Sequence, residues 1–380
     1  MRRLSTRGLV RRAALAAAAA VAGGLLGSCH YGGKSAHMAA VSQPRAGRAV
    51  GGRVAVVYSR QYQIDLAGLE RLHSFDIHKY AKIYRALLAG GALRAGDVFV
   101  PHPVTDEQVL RVHSRAFLES LGSSRAVGRY LEQPKIGKMP GRLADAAIVS
   151  AFRHATGGTV LAARLAMRHG VAINLAGGYH HAKPDAGEGF CIYNDIAVAI
   201  RDLQARRLAR RALVVDLDVH QGNGTAVCFR GDESVFTFSM HEGDIYPVPK
   251  ETSDLDVELP AGMGDEAYLR ILAGHLPRLL ERARPDVVIL QAGCDTLAGD
   301  PLARLAMTPG GIVRRDAMVI DACVRRGVPV VMTLGGGYSA GAWRAQYASV
   351  VRTLVRHGGV LARAAPAGKV PRKMKSKARP

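Results

Sequence analysis

The chain has 380 residues, 48% of them hydrophobic, five cysteines and a formal net charge of +21. This composition excludes a disordered chain and a disulfide-stapled miniature, and it suffices for a full core. Of the +21, nine units come from residues 1–53 and seven from residues 363–380, neither of which holds an acid, leaving +5 for everything between. The basic character thus belongs to the two ends, and no specific nucleic-acid partner is expected for the core.

Residues 1–29 read as an export signal. Arg2, Arg3, Arg7, Arg11 and Arg12 precede a weakly apolar run, Ala13 to Leu26, too short to span a bilayer, and Leu26-Gly27-Ser28-Cys29 is built like a bacterial lipobox. Arg11-Arg12 resembles a twin-arginine signal with a poor surrounding consensus. On this reading the protein is an exported lipoprotein anchored to a membrane through Cys29. The alternative is a cytoplasmic protein with a dispensable Ala-rich extension. Residues 30–52 read as a flexible tether, 53–360 as one catalytic domain and 361–380 as a basic disordered tail.

From Val54 the chain alternates short β-branched runs with longer periodic ones. Strands are predicted near 54–58, 171–175, 212–218, 234–239, 286–291 and 328–334. Helices are predicted near 77–88, 106–121, 156–169, 195–209, 265–284, 310–326 and 340–357. Such alternation implies an α/β fold of a single domain: a mostly parallel sheet with helices on both faces.

Polar residues gather just past the carboxyl ends of these strands, the edge at which open α/β sheets bind ligands. On a strand 212–218, alternation would put Asp216, Asp218 and His220 on one face, with Gly222-Asn223-Gly224 closing it in a tight loop. His180-His181, Ser239-Met240-His241, Asp295 and Tyr338 follow other strands. Each alone is commonly a turn or cap residue, and the glycine runs 177–178 and 335–337 serve equally as tight turns. Together they are the parts of a metal-assisted hydrolysis site: ligands with open coordination, acid/base groups and an oxyanion donor. No G-x-x-x-x-G-K-[ST], G-x-G-x-x-G or G-x-S-x-G pattern competes. Cys294, beside Asp295, is read as a small buried residue in preference to a nucleophile. His73, His78, His102, His113 and His241 are read as structural or surface residues.

Several runs, in order, look like the successive signatures of zinc-dependent histone deacetylases: 177–182 (GGYHHA), 189–195 (GFCIYND), 216–225 (DLDVHQGNGT), 293–301 (GCDTLAGDP) and 334–338 (LGGGY). Residues 62–76 and 154–159 are similar to the class IV branch. The resemblance covers roughly residues 54–357 and implies the arginase/deacetylase-like fold and hydrolysis of an acyl amide. It implies Zn2+ on Asp218, His220 and Asp295, with His180 and His181 as the tandem histidines beside the attacking water. The second of these is the general base and proton donor. Asp216 would orient His180, Tyr338 would donate to the oxyanion, and Gly189 and Phe190 would line the tunnel. Ser239 and Met240 would lie near a structural monovalent cation such as K+. Asn223 stands where many members have aspartate; a neutral amide can fix the ring of the base without adding charge.

The expected function is therefore zinc-dependent deacylation of N-acyl-lysine or of a related acylated amine, with an acetylpolyamine amidohydrolase as a variant. The reading from a different class is a lipoprotein that binds acylated amines without turnover.

Overall fold

A computed structural model describes residues 53–360 except 67, 69, 71, 72 and 74. The export signal, tether and basic tail expected at residues 1–52 and 361–380 lie outside the described residues. Seven strands form one parallel sheet in the order β1-β2-β7-β6-β3-β4-β5. They are β1 (Ala55–Val57), β2 (Val171–Asn174), β3 (Ala212–Asp216), β4 (Val235–Glu242), β5 (Leu255–Leu259), β6 (Val287–Gln291) and β7 (Val330–Thr333). All residues of β2, β3, β6 and β7 are buried, as continuous apolar runs in a doubly covered parallel sheet should be.

Two groups of helices cover the sheet. Helix Ser150–His169 packs along β1, β2 and β7 and against helix Asp195–Ala205. The second group is the series Asp265–Ala283, Pro309–Arg325, Ala342–Arg356 and Lys79–Ala89, each packed on the one before. Among the described residues no helix is long and apolar enough to cross a membrane.

The chain moves outward through β3, β4 and β5, then returns to fill β6 and β7 between β3 and β2. Strands far apart in sequence thereby end side by side. Asp216 is in register with Gln291, and Gln291 with Thr333, so the polar segments after β3, β6 and β7 emerge from one line across the sheet.

Several expectations need correcting. β3 stops at Asp216; the backbone bends through Asp218, Val219 and His220, so strand alternation does not align the three side chains. Gly222-Asn223-Gly224 opens a short helix, Asn223–Cys228, in place of a tight loop. The helix expected over 106–121 is two, Asp106–Val109 and Arg115–Ser120. Thr105 caps the first in a capping box with Gln108, and Ser114 caps the second by accepting from Phe117 N. Edge strand β5 was missed because Leu-Asp-Val-Glu-Leu is half polar, although its alternation suits an edge.

Candidate active site

Asp218, His220 and Asp295 each offer a ligand atom, all within 4.8 Å of one another, and all three residues are buried. His220 Nδ1 lies 3.2 Å from both Asp218 Oδ1 and Asp295 Oδ2. The backbone holds the carboxylates in place. Val219 N donates to Asp295 Oδ1 (2.9 Å), His220 N to Asp218 Oδ1 (3.1 Å) and Gly336 N to Asp218 Oδ2 (2.9 Å). A Cβ at Gly336 would sit 2.1 Å from Asp295 Oδ2, so only glycine brings that N–H to the carboxylate. Burial, with Asp218 close by, pushes Asp295 up to about 7. Two buried carboxylates this close are costly without a cation between them, and two carboxylates plus one imidazole suit a divalent ion with an open coordination position.

The tandem histidines stand beside this cluster on the segment after β2. Thr225 N donates to His180 O, and Gly178 N and Tyr179 N donate to Asp195, which fixes the turn. The two rings, 4.0 Å apart between centroids, have different partners. His180 Nδ1 donates to Asp216 Oδ2 at 2.7 Å; burial works against its charge, but Asp216 and Asp218 outweigh it and bring it to about 9. His181 Nδ1 lies 2.7 Å from Asn223 Oδ1, and burial, reinforced by His180 and His220, holds it well below 6.5. The surroundings thus favour the charged form of the first ring and the neutral form of the second.

Tyr338 follows the glycine run and is held by its backbone: Tyr338 N and Ser339 N donate to Asp300 Oδ2 at 2.8 and 3.2 Å. Its ring stands 6.1 Å from that of His220 and 6.0 Å from that of Phe190. Phe190 adopts φ +65°, uncommon for a bulky residue, and Gly189 precedes it at φ +53°, where a Cβ would meet His181 Cδ2 at 2.5 Å. The pair thus turns an aromatic wall onto the site. Above and beyond the polar floor lies a cavity of about 160 Å³ whose walls include Leu131, Ile136, Ile148, Phe152 and Tyr179.

The structure thus brings Asp216, Asp218, His220, Asp295, His180, His181, Asn223, Tyr338, Gly189 and Phe190 together. Ser239, on β4, is in register with Asp216 on β3, and its Oγ lies 2.9 Å from His241 Nδ1. Cys294 is a buried residue whose thiol donates to Ala342 O, and burial pushes it up to about 12. His73 lines the cavity, its ring 4.5 Å from that of Phe190, and both its ring nitrogens meet backbone: Nδ1 accepts from Phe75 N at 2.8 Å and Nε2 lies 3.1 Å from Leu131 O.

Three residues were missed. Gln291 Nε2 donates to Asp218 Oδ2 (3.1 Å) and Gly178 O (3.1 Å), linking the Asp218, His220 and Asp295 cluster to the histidine turn. The register Asp216↔Gln291, which only the folded sheet reveals, places it there. Lys79 is fully buried and donates to Gly335 O (2.6 Å) and Gly336 O (2.9 Å), bracing the glycine run. Nothing local in the sequence separates it from a surface lysine. Glu188 accepts from Asn223 Nδ2 at 2.7 Å.

Comparison with known proteins now decides the family. The profile described as Histone deacetylase domain matches residues 73–354. The chain belongs to the histone deacetylase family. It is similar to Histone deacetylase 2 of Arabidopsis thaliana, 35% identical over 309 residues, covering 80% of this chain and 80% of that protein. An uncharacterized protein of Picosynechococcus is 43% identical over 287 residues, covering 75% of this chain and 92% of that one. Human Histone deacetylase 1 is 27% identical over 289 residues, covering 70% of this chain and 58% of that protein. Among solved structures, the HDA15 HD domain superposes with a TM-score of 0.64 at 24% identity, covering 80% of this chain and 90% of that one, which shows the shared fold. As a family member the protein is a deacetylase-type hydrolase, and its substrates are acetylated compounds.

Proposed function

We propose that this deacetylase is a zinc-dependent amidohydrolase that releases acyl groups from the ε-amine of lysine or a related amine. The observation that carries the reading is the convergence of Asp218, His220 and Asp295 beneath an apolar cavity into which Tyr338 and His181 face. Zinc held by those three residues would supply Lewis-acid polarisation of the amide carbonyl and acidify the attacking water.

The chain's own groups do the rest. The neutral His181 takes a proton from water as its oxygen bonds to the acyl carbon, and later gives that proton to the nitrogen as the C–N bond breaks. His180, kept cationic by Asp216, stabilises negative charge developing beside it. The Tyr338 hydroxyl donates to the oxyanion. Gly189 and Phe190 grip the aliphatic chain of the amine. The products are a carboxylate and a free amine.

The apolar lining of the cavity supports acceptance of aliphatic acyl chains. A K+ ion near Ser239 and Met240, and export with lipid anchoring at Cys29, belong to the same reading.

The test is a series of acyl-lysine peptides, acetyl upward, with acetylated polyamine as a second carrier. One equivalent of carboxylate should appear per equivalent of amine, and longer chains should be cleaved. Zinc-loaded protein that binds these ligands and releases no amine would instead be an acyl-amine-binding protein.

A further inference from the structure

Glu188 sits outside the residues that the family signatures mark, at the turn before Gly189. Its backbone closes on Cys191 through paired hydrogen bonds, Glu188 N to Cys191 O at 3.0 Å and Cys191 N to Glu188 O at 2.9 Å. Its side chain turns inward. Glu188 Oε1 accepts from Asn223 Nδ2 at 2.7 Å and from the Tyr246 hydroxyl at 2.8 Å, while Oε2 lies 3.0 Å from Lys183 Nζ. Partial burial disfavours its charge, but the bonds from Lys183, Tyr246 and Asn223 prevail and hold it below the ordinary carboxylate value.

An amide side chain has one accepting end and one donating end, and the two can exchange by a half turn. A carboxylate only accepts. With Glu188 ionised against Asn223, the NH2 end must face Glu188, so Oδ1 faces His181 Nδ1 at 2.7 Å. That nitrogen must then carry the ring proton, which leaves the Nε2 lone pair for the substrate side. With the amide reversed, His181 would be driven into the opposite tautomer and could not act as base.

We propose that Glu188 is a positioning residue which, by fixing the orientation of the Asn223 amide, sets the tautomer of His181. The inference rests on the reading of His181 as general base. It also ties the base to the wall, because the turn that presents Phe190 carries the anchor. Tyr246, whose ring stands 5.1 Å from that of His181, donates its hydroxyl to the same carboxylate.

The test uses zinc-loaded full-length protein. Glu188→Leu should lower kcat about 10- to 100-fold, the usual cost of removing an outer orienting partner, with KM and zinc content unchanged. Asn223→Asp should also lose activity, because it sets two carboxylates against each other. Adding Glu188→Gln to that variant supplies an NH2 donor where the donor was lost, and should restore most of kcat. In 15N NMR the His181 ring, assigned by comparison with His181→Gln, should be protonated at Nδ1 in the native protein and shift toward Nε2 protonation in Glu188→Leu. This readout stands even if no acyl substrate is cleaved, a result that would sink the proposed function and leave the Glu188 role measurable. An unchanged tautomer in a folded Glu188→Leu protein, or an Asn223→Asp/Glu188→Gln protein no better than Asn223→Asp, would overturn the inference.

Discussion

The floor of the cavity and its walls are built by different means. The floor comes from four adjacent strands, β2, β7, β6 and β3, whose carboxyl ends deliver His180, His181, Tyr338, Asp295, Asp218 and His220 to one line. Each of its carboxylates is tied to backbone N–H groups. The walls come from irregular segments and short helices, such as Leu131, Ile136 and Ile148, held by apolar contact without hydrogen bonds to fix their side chains. A hydrogen-bonded floor fails when a single partner is removed, whereas an apolar wall changes the fit by degrees.

Substitutions should therefore fall into two classes. Asp218→Ala and Asp295→Ala should abolish both zinc retention and turnover, while Asp254→Ala, whose carboxylate serves Thr237 at β4, should do neither. Metal analysis beside an activity assay checks this; stoichiometric zinc in both ligand variants would erase the floor as a metal site. Tyr338→Phe should cost about 10²–10³ in kcat with zinc and substrate binding kept. Near-normal kcat would mean that the hydroxyl points elsewhere. Gln291→Leu should cost about 10- to 100-fold in zinc affinity, read by competition with a chelator, because Asp218 loses the donor that orients it. On the wall, Met139→Trp, at a partly buried lining position, should leave acetyl cleavage nearly intact and lower kcat/KM for long acyl chains by roughly tenfold or more. Equal losses for both chain lengths would show that the wall is as rigid as the floor.

The acid limb of the pH profile sharpens the contrast further. Burial first, then the neighbouring His180 and His220, depress His181 below 6.5. A depressed histidine pKa keeps the ring neutral and basic at every pH above it, so kcat/KM measured with excess zinc should begin to fall only below pH 6.5. A limb at or above 6.5 would show that something in the working enzyme stabilises the charged ring.

The same division governs what could be read from the sequence. The floor was legible because each of its residues follows a short apolar strand, and parallel strands bring such ends together whatever their separation in the chain. The reason given for Asp216, Asp218 and His220 was nevertheless wrong: the strand stops at Asp216, and the convergence comes from backbone hydrogen bonds after it. Gln291, Lys79 and Glu188 were not legible, because their importance lies in contacts 73, 256 and 35 residues distant in the chain. The wall was legible only at Gly189 and Phe190. Helices such as Ser124–Tyr130 are too short for periodicity to register, and the edge strand Leu255–Leu259 carries too little apolar residue to stand out.

The central claim is that hydrolysis depends on one zinc held by Asp218, His220 and Asp295. The most direct measurement strips the protein with a chelator and titrates zinc back while following amine release from an acyl-lysine peptide. Activity should vanish on stripping and climb in proportion to bound metal until one zinc per chain, and Asp295→Ala should neither bind nor recover. Full activity in the stripped protein, or one tightly bound zinc with no amine released from any acyl-lysine, would contradict the account.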